Sequence, residues 1–92
     1  MQKIEKKCWT GWFEQILNGD KTYDLRLNDF ETEAGDLIIF KEWDPKTKEY
    51  TGREVEKKVG YVGKWKIEEL TTFWPKEEIE EKGLQIISLK DK

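Results

Sequence analysis

The spacing of apolar residues changes along the chain and predicts a series of short strands and helices. Residues 4–9 have the composition of a first strand. The apolar residues that follow recur at helical spacing and predict one helix face, made of Trp12, Phe13, Ile16 and Leu17. Thr10 stands where an N-cap side chain accepts a hydrogen bond from a first-turn amide, and Gly19 stands where a left-handed residue ends a helix.

Strand signals follow this helix. Tyr23, Leu25 and Leu27 alternate with polar residues, which predicts a strand over residues 22–27. The apolar run at residues 37–40 predicts a further strand over residues 37–43 that is buried on both faces.

The second half of the chain contains turn and bend signals that separate its predicted elements. Asp44 and Pro45 form a turn signal, and a charged strand or ribbon follows over residues 49–62. Gly52 and Gly60 are bulge or bend positions in that ribbon. Three further elements complete the pattern: a short helix at residues 67–70, a helix over residues 75–82 and a last strand over residues 85–89.

This order of elements predicts an α+β fold. The chain has 92 residues, so we expect a single domain over residues 1–92. Aromatic residues make up 13% of the sequence, which is enough to build a compact core in a domain of this size. The arrangement that fits best is a small, mostly antiparallel β-barrel with two or three short helices at its openings.

Composition narrows the classes of function. The formal net charge is −3, which excludes a broad basic surface for duplex DNA and limits any nucleic-acid contact to a local group of cations. The chain has no histidine, so Ser-His and Cys-His nucleophile systems are excluded and no metal site is predicted. The single cysteine, Cys8, is interpreted as a small buried hydrophobe. With no long apolar run, we expect a cytoplasmic protein without a membrane partner.

One polar segment is the strongest candidate for binding chemistry. Lys21, Thr22, Asp24 and Arg26 lie close together where the first helix meets the predicted strand. Arginine offers paired donors to a base carbonyl or a phosphate, aspartate accepts from an exocyclic amine, and lysine supplies a point charge or a nucleophile. Alternating charges on a strand are equally typical of a solvated face, and both interpretations stay open.

Aromatic residues with nearby cations form a second set of candidates. Lysines and aromatics are interleaved in the ribbon, a pattern suited to single-stranded nucleic acid or to a protected edge strand. A tryptophan that lines a cleft stacks on a base, although a core position is the simpler interpretation and is the one adopted for Trp9 and Trp12. The candidates for ligand binding in this set are Trp12, Trp43, Arg53, Lys57, Tyr61 and Trp65.

The run from Gly19 to Arg26, after an aromatic helix, resembles the signature of ASCH domains, which belong to the PUA-like superfamily. The resemblance continues through residues 35–36, 40–45 and 49–55, covers roughly residues 3–90, and is closest to an ASCH-like branch of unknown function. It implies a PUA-like barrel with a cleft beside the first helix and a role in RNA binding. Arg26 matches the arginine of the motif.

The same resemblance implies an enzymatic alternative. One small bacterial group of ASCH proteins hydrolyses acylated cytidines with a lysine, a threonine and a distant glutamate. Lys21 matches that lysine, whereas Asp24 stands where the threonine is expected. An aspartate beside Lys21 favours its charged form and makes it a poorer nucleophile. The glutamate is left open among Glu68, Glu69 and Glu77.

Three functions therefore compete. The leading hypothesis is a module that binds RNA, a nucleotide or a nucleoside in a nucleobase cleft beside the first helix. The alternative is an amidohydrolase acting on acylated cytidine nucleosides, or a ribonuclease, with Lys21 and Asp24 as catalytic residues. The third is an adaptor that holds a protein partner through exposed aromatics. No cofactor is predicted, and the oligomeric state is left open with a monomer as the expectation.

Overall fold

The computed structural model describes all 92 residues of the chain. Its regular elements are, in order, β1 (Lys3–Trp9), α1 (Thr10–Leu17), β2 (Leu37–Asp44), β3 (Glu49–Lys58), α2 (Ile67–Leu70) and α3 (Lys76–Lys82). They fall into two compact units, Met1–Val62 and Gly63–Lys92. The first unit holds the sheet and α1, and the second holds α2 and α3. The predicted α+β class and the short helices are confirmed.

The three strands form one open mixed sheet in the order β1–β2–β3. β1 lies parallel to β2, with Lys3 opposite Leu37 and Trp9 opposite Trp43. β3 returns antiparallel to β2 after a tight turn, in which the Lys48 amide donates to the Asp44 carbonyl at 2.7 Å. The predicted barrel is not confirmed, because three strands in this order do not close on themselves.

A bulge interrupts the pairing of β2 with β3. Lys41 pairs with Glu54 and Trp43 with Tyr50, so Glu42 alone in β2 faces residues 51–53 of β3. Gly52 lies in the middle of this bulge with a φ of +93°, a conformation that glycine adopts without the penalty of a Cβ atom. The predicted bulge at Gly52 is therefore confirmed, and it bends β3 around the Glu42 side chain.

The core of the first unit lies between α1 and one face of the sheet. Phe13 and Ile16 of α1 are buried against Cys8 of β1 and Phe40 of β2. Ile38 and Val55 are half-buried beside them, which extends the apolar contact along β2 and β3. The interpretation of Cys8 as a buried hydrophobe is confirmed, and burial raises the pKa of its thiol.

The helix prediction was correct in its extent and partly wrong in its detail. Thr10 is the first residue of α1, and the extended residue before it, Trp9, holds the cap position without a side-chain hydrogen bond. Trp12 and Leu17 are exposed, so only half of the predicted apolar face is buried. Gly19 has a φ of +86° just beyond the helix, which confirms its role as the left-handed residue that ends it.

Two predicted strands are absent, and one is shorter than predicted. Residues 22–27 and 85–89 contain no strand, and β3 ends at Lys58 instead of continuing to residue 62. In the first of these segments Asp24 and Arg26 bind each other, so their alternation reflects a local ion pair and not pairing with a neighbouring strand. Residues 37–40 do form the central strand, but only Phe40 of that run is fully buried, since α1 covers one face alone.

A buried carboxylate fastens the start of β2 to the start of β1. Asp36 is 2% exposed and accepts hydrogen bonds from the Gln2 amide (3.0 Å), the Gln2 side chain (3.1 Å), the Thr32 hydroxyl (3.2 Å) and the Glu33 amide (3.0 Å). These donors lower the pKa of Asp36 to about 2. The loop before β2 is thereby held against the first residues of the chain, which fixes the parallel register of β1 and β2.

The second unit is short and charged. Salt bridges at helical spacing join Lys82 to Glu78 (3.1 Å) and Lys76 to Glu80 (3.8 Å) within α3. Pro75 is the N-cap residue of this helix, and Gly83 ends it with a φ of +70°. None of the helices of the chain has the length and apolar character that a membrane crossing requires.

Candidate functional site

Three tryptophans meet at the end of β1, and we call them the tryptophan cluster: Trp9, Trp12 and Trp43. The rings of Trp9 and Trp12 are stacked at 5.6 Å between centroids with 18° between their planes. The rings of Trp9 and Trp43 lie 6.1 Å apart and are tilted by 37°. Trp9 is 47% exposed and Trp12 is 57% exposed, so the prediction that these two residues lie in the core was wrong. The cluster offers broad aromatic surface to solvent.

Local structure explains why these rings are not buried. Trp9 ends β1 on the face opposite to Cys8, because successive side chains of a strand point to opposite faces. Its register partner, Trp43, lies on the same face of the sheet. Trp12 precedes Phe13 in α1, and since Phe13 points into the core, Trp12 is turned by about 100° to the flank of the helix. The cluster thus wraps around one end of the sheet.

Two lysines lie against these rings. The Lys7 amino nitrogen is 4.3 Å from the centroid of Trp43. The Lys21 amino nitrogen is 4.7 Å from the centroid of Tyr23 and 6.0 Å from that of Trp12. These distances are typical of cation–π contacts, which place positive charge beside exposed aromatic faces. Lys21 and Trp12 were both predicted as site residues, and the structure brings them together.

Asp24 and Arg26, both predicted as site residues, bind each other, and Arg26 also binds β1. The Arg26 Nε atom donates to Asp24 Oδ2 at 2.8 Å, and its Nη2 atom donates to the backbone carbonyl of Lys7 at 2.8 Å. The arginine therefore ties the segment after α1 to β1, and this tie holds Lys21 and Tyr23 near the tryptophan cluster. Thr22 lies exposed in the same segment. We assign Arg26 and Asp24 a positioning role.

Arg53 is also engaged within the protein. Its Nε and Nη2 atoms donate to the two carboxylate oxygens of Glu42 at 2.8 and 3.0 Å, and Nη2 also donates to Glu14 of α1. Glu42 is 4% exposed and accepts a third hydrogen bond, at 2.6 Å, from the Thr51 hydroxyl. The guanidinium lies 5.0 Å from the centroid of Phe13.

These contacts define a polar brace between the sheet and α1. Hydrogen bonds from Arg53 lower the pKa of Glu42, and the two glutamates raise the pKa of Arg53. The carboxylate of Glu42 is therefore buried together with its partners, as a buried charge requires. The brace occupies the Nε and Nη2 atoms of Arg53, so fewer of its donors face a ligand.

The remaining predicted residues lie elsewhere. Lys57 pairs with Ile38 in the sheet, on the face that carries α1 and opposite to the face of Trp43. Tyr61 follows β3 and is 89% exposed. Trp65 belongs to the second unit, as do Glu68 and Glu69 of α2 and Glu77 of α3.

Lys7 and Trp9 were missed, although the sequence holds a signal for them. The triplet Lys7-Cys8-Trp9 in β1 repeats as Lys41-Glu42-Trp43 in β2. In both triplets the middle residue faces α1, so the lysine and the tryptophan share the opposite face. The parallel register places the triplets side by side, with Lys7 opposite Lys41 and Trp9 opposite Trp43. The repeat in the sequence is therefore a signal that these two lysines and two tryptophans lie together on one face of the sheet.

Comparison with known proteins identifies a family and nothing more specific. A family model with the description "Domain of unknown function (DUF3850)" matches residues 4–74, which include the tryptophan cluster and Lys21. No curated protein and no solved structure is significantly similar to the chain.

Proposed function

The chain belongs to the family described as a domain of unknown function, DUF3850, and we propose that it is a module that binds unpaired nucleobases, as found in RNA or in free nucleotides. The observation that carries this proposal is the exposed tryptophan cluster with Lys7 and Lys21 against its rings. Bases stack on exposed aromatic side chains, and lysines beside the rings pair with phosphate. Exposed aromatic surface of this kind is unusual in a protein that binds nothing.

The charge of the chain agrees with a local contact. A net charge of −3 gives no general attraction for a polyanion, so binding has to come from stacking and from a few cations. Both are present at one end of the sheet. The motif that resembles ASCH domains supports the same place, because Lys21 lies beside α1, where that resemblance expects a cleft. The kinship with ASCH domains is part of this proposal.

The proposal is tested by titration of ¹⁵N-labelled protein with uridine monophosphate and with a short single-stranded RNA, followed by amide shifts. We expect shifts at residues 7–12, 21–23 and 43 that saturate. Trp12→Leu should weaken binding by about fivefold or more, because stacking contributes roughly 1–3 kcal/mol per base. Lys21→Gln should also weaken binding, because it removes a cation that pairs with phosphate. Trp74→Leu and Lys46→Gln are matched controls, since both side chains are exposed and neither belongs to the tryptophan cluster. Unchanged spectra with every ligand would contradict the proposal.

The amidohydrolase alternative is tested in the same sample with N4-acetylcytidine. The Lys21 amino group lies against two aromatic rings, and Asp24, which stands where the acylated-cytidine hydrolases have a threonine, is paired with Arg26. We therefore expect amide shifts without release of acetate. Acetate that forms in proportion to protein and disappears in Lys21→Ala would establish the enzyme in place of the binding module.

A further inference from the structure

A row of aromatic residues crosses all three strands of the sheet. Trp9 of β1 pairs with Trp43 of β2, and Trp43 pairs with Tyr50 of β3. Register partners lie on the same face, so the three rings stand side by side on the face turned away from α1. The rings of Trp9 and Trp43 lie 6.1 Å apart, and Tyr50 stands on the next strand. We call Trp9, Trp43 and Tyr50 the aromatic row.

Lysines lie directly beside this row. The next register line on the same face consists of Lys7, Lys41 and Glu54. The Lys41 amino group is 3.1 Å from a Glu5 oxygen, with 38% of the Lys41 and 62% of the Glu5 side chain exposed. Exposed pairs of this kind contribute little, so a phosphate oxygen can replace the carboxylate at small cost. Two cations are therefore available along the row.

The surface next to the row is concave. An open depression of about 450 Å³ is lined by Lys7, Lys41, Tyr50 and Gly52, and also by Glu5 and Glu54. Gly52 contributes no side chain at the point where β3 bulges, which leaves space between Tyr50 and Glu54. The depression lies where the backbone of a ligand stacked on the row would pass, within reach of both lysines.

From this geometry we propose that the open face of the sheet binds single-stranded nucleic acid of at least three nucleotides, which runs across the strands with successive bases on Trp9, Trp43 and Tyr50. Phosphates between these bases contact Lys7 and Lys41. This inference rests on the proposed function and extends it from one base at the β1–α1 junction to a strand. It assigns Tyr50 and Lys41 to the interface.

The same features disfavour other ligands. Bases within a duplex are already stacked on their neighbours and cannot lie flat on three separate rings. A duplex binder also needs many phosphate contacts, and the acidic chain offers few cations on this face. A free nucleotide would occupy one ring and leave the other two exposed. A row of three rings therefore matches a short unpaired strand.

The test measures affinity against ligand length. Uridine monophosphate, di-, tri- and hexauridylate and an RNA hairpin stem are titrated into ¹⁵N-labelled protein, and dissociation constants are taken from the amide shifts. We expect affinity to increase about fivefold or more with each base up to the third, with little further gain per site beyond it. The hairpin stem should bind more weakly than triuridylate. Oligothymidylate of matched length reports whether the strand has to be RNA.

Tyr50→Leu provides the decisive variant, because it removes the ring and keeps an apolar strand residue. It should weaken hexauridylate binding about fivefold or more and leave uridine monophosphate unaffected, and Tyr50→Phe should restore the affinity. Phe73→Leu, an exposed aromatic of the second unit, is the matched control. Affinity that does not depend on length, or that is insensitive to Tyr50→Leu, overturns this inference and leaves the proposed function standing. Absence of binding by every ligand overturns both.

Discussion

Both faces of the sheet carry aromatic side chains and an ion pair, but these are more deeply buried on one face and more accessible to solvent on the other. Under α1, Phe13 and Phe40 are buried, and the carboxylate of Glu42 is enclosed by Arg53. On the open face the aromatic row is exposed or half-buried, and Glu5 pairs with Lys41 in solvent. Under α1, the aromatic rings and the Glu42–Arg53 ion pair hold the helix on the sheet. On the open face, the aromatic row and the Glu5–Lys41 ion pair are accessible to a ligand. The types of residue on the two faces are similar, so access to solvent is what separates a stabilising role from a binding role.

The largest expected effect comes from the core. Phe13 is 1% exposed, and Phe13→Ala removes its ring from between α1 and the sheet. We expect a loss of about 3–5 kcal/mol in the free energy of unfolding, measured by urea denaturation. Trp9→Leu, on the open face, should change that free energy by less than about 1 kcal/mol, as exposed positions commonly do. Equal losses in the two variants would remove the distinction between the faces.

The polar brace should give the next largest effect. Glu42→Gln replaces a buried carboxylate that accepts three hydrogen bonds and leaves the Arg53 guanidinium with one charged partner. Because charged hydrogen bonds are lost but Arg53 reaches solvent, we expect a cost of about 1–3 kcal/mol in urea denaturation. Glu54→Gln, on the same strand pair but on the open face, is the control and should be close to neutral. A neutral Glu42→Gln would show that the brace contributes nothing to stability.

Acid should lower the stability of the folded chain through its two buried carboxylates, Asp36 and Glu42. The pKa of Asp36 is about 2 in the folded chain against an ordinary value of 3.8, and the pKa of Glu42 is also lowered. Their contributions to stability are complete above the ordinary carboxyl pKa and are lost as the pH falls through the lowered values. Unfolding free energy should therefore decrease from about pH 4 towards pH 2.

Asp36→Asn isolates one part of this pH dependence. The variant should be less stable than the parent at pH 6, and the difference should shrink towards pH 2, where Asp36 of the parent becomes protonated. Thermal unfolding at a series of pH values measures both quantities. A difference that is constant from pH 6 to pH 2 would mean that the Asp36 carboxylate has no lowered pKa.

The smallest effect on stability is expected on the open face. Glu5→Gln breaks the exposed pair with Lys41 and should leave the urea midpoint unchanged. The same change frees Lys41, so affinity for hexauridylate should increase and should depend more steeply on salt concentration. Glu80→Gln, which breaks an exposed pair with Lys76 in α3, is the control for both measurements. A fall in stability with no change in salt dependence would place Glu5 among the structural residues.

Much of the fold could be predicted from local patterns. The extents of α1 and β2, the turn at Asp44, the bulge at Gly52 and the end of the helix at Gly19 all depend on neighbouring residues and were found. The strand over residues 22–27 was wrong because pairing depends on which edges of the sheet are available, and that is a property of the whole fold. Alternation of Asp24 and Arg26 cannot reveal that the two side chains bind each other.

The candidate site was predicted less completely than the fold. Lys21 and Trp12 were named as candidates, but the core interpretation of Trp9 and Trp12 was wrong, because a count of aromatic residues does not tell which face of a strand or helix is covered. Rotation of α1 is set by Phe13 and Ile16, which leaves Trp12 at the flank. Glu42 was missed although it continues the alternating set begun by Ile38 and Phe40, so a charged residue at a core-facing position was visible in the sequence.

The bulge inserts an even number of residues in β3, and this limits how the length of the strand can change. Three residues of β3 face one residue of β2, so the insertion is of two residues and side chains on either side of it stay in phase. Tyr50 and Glu54 consequently share one face, and Thr51 and Arg53 share the other. Deleting one residue here would reverse the phase and turn the Tyr50 ring towards the core. We therefore expect relatives that differ in length between residues 49 and 54 to differ in steps of two.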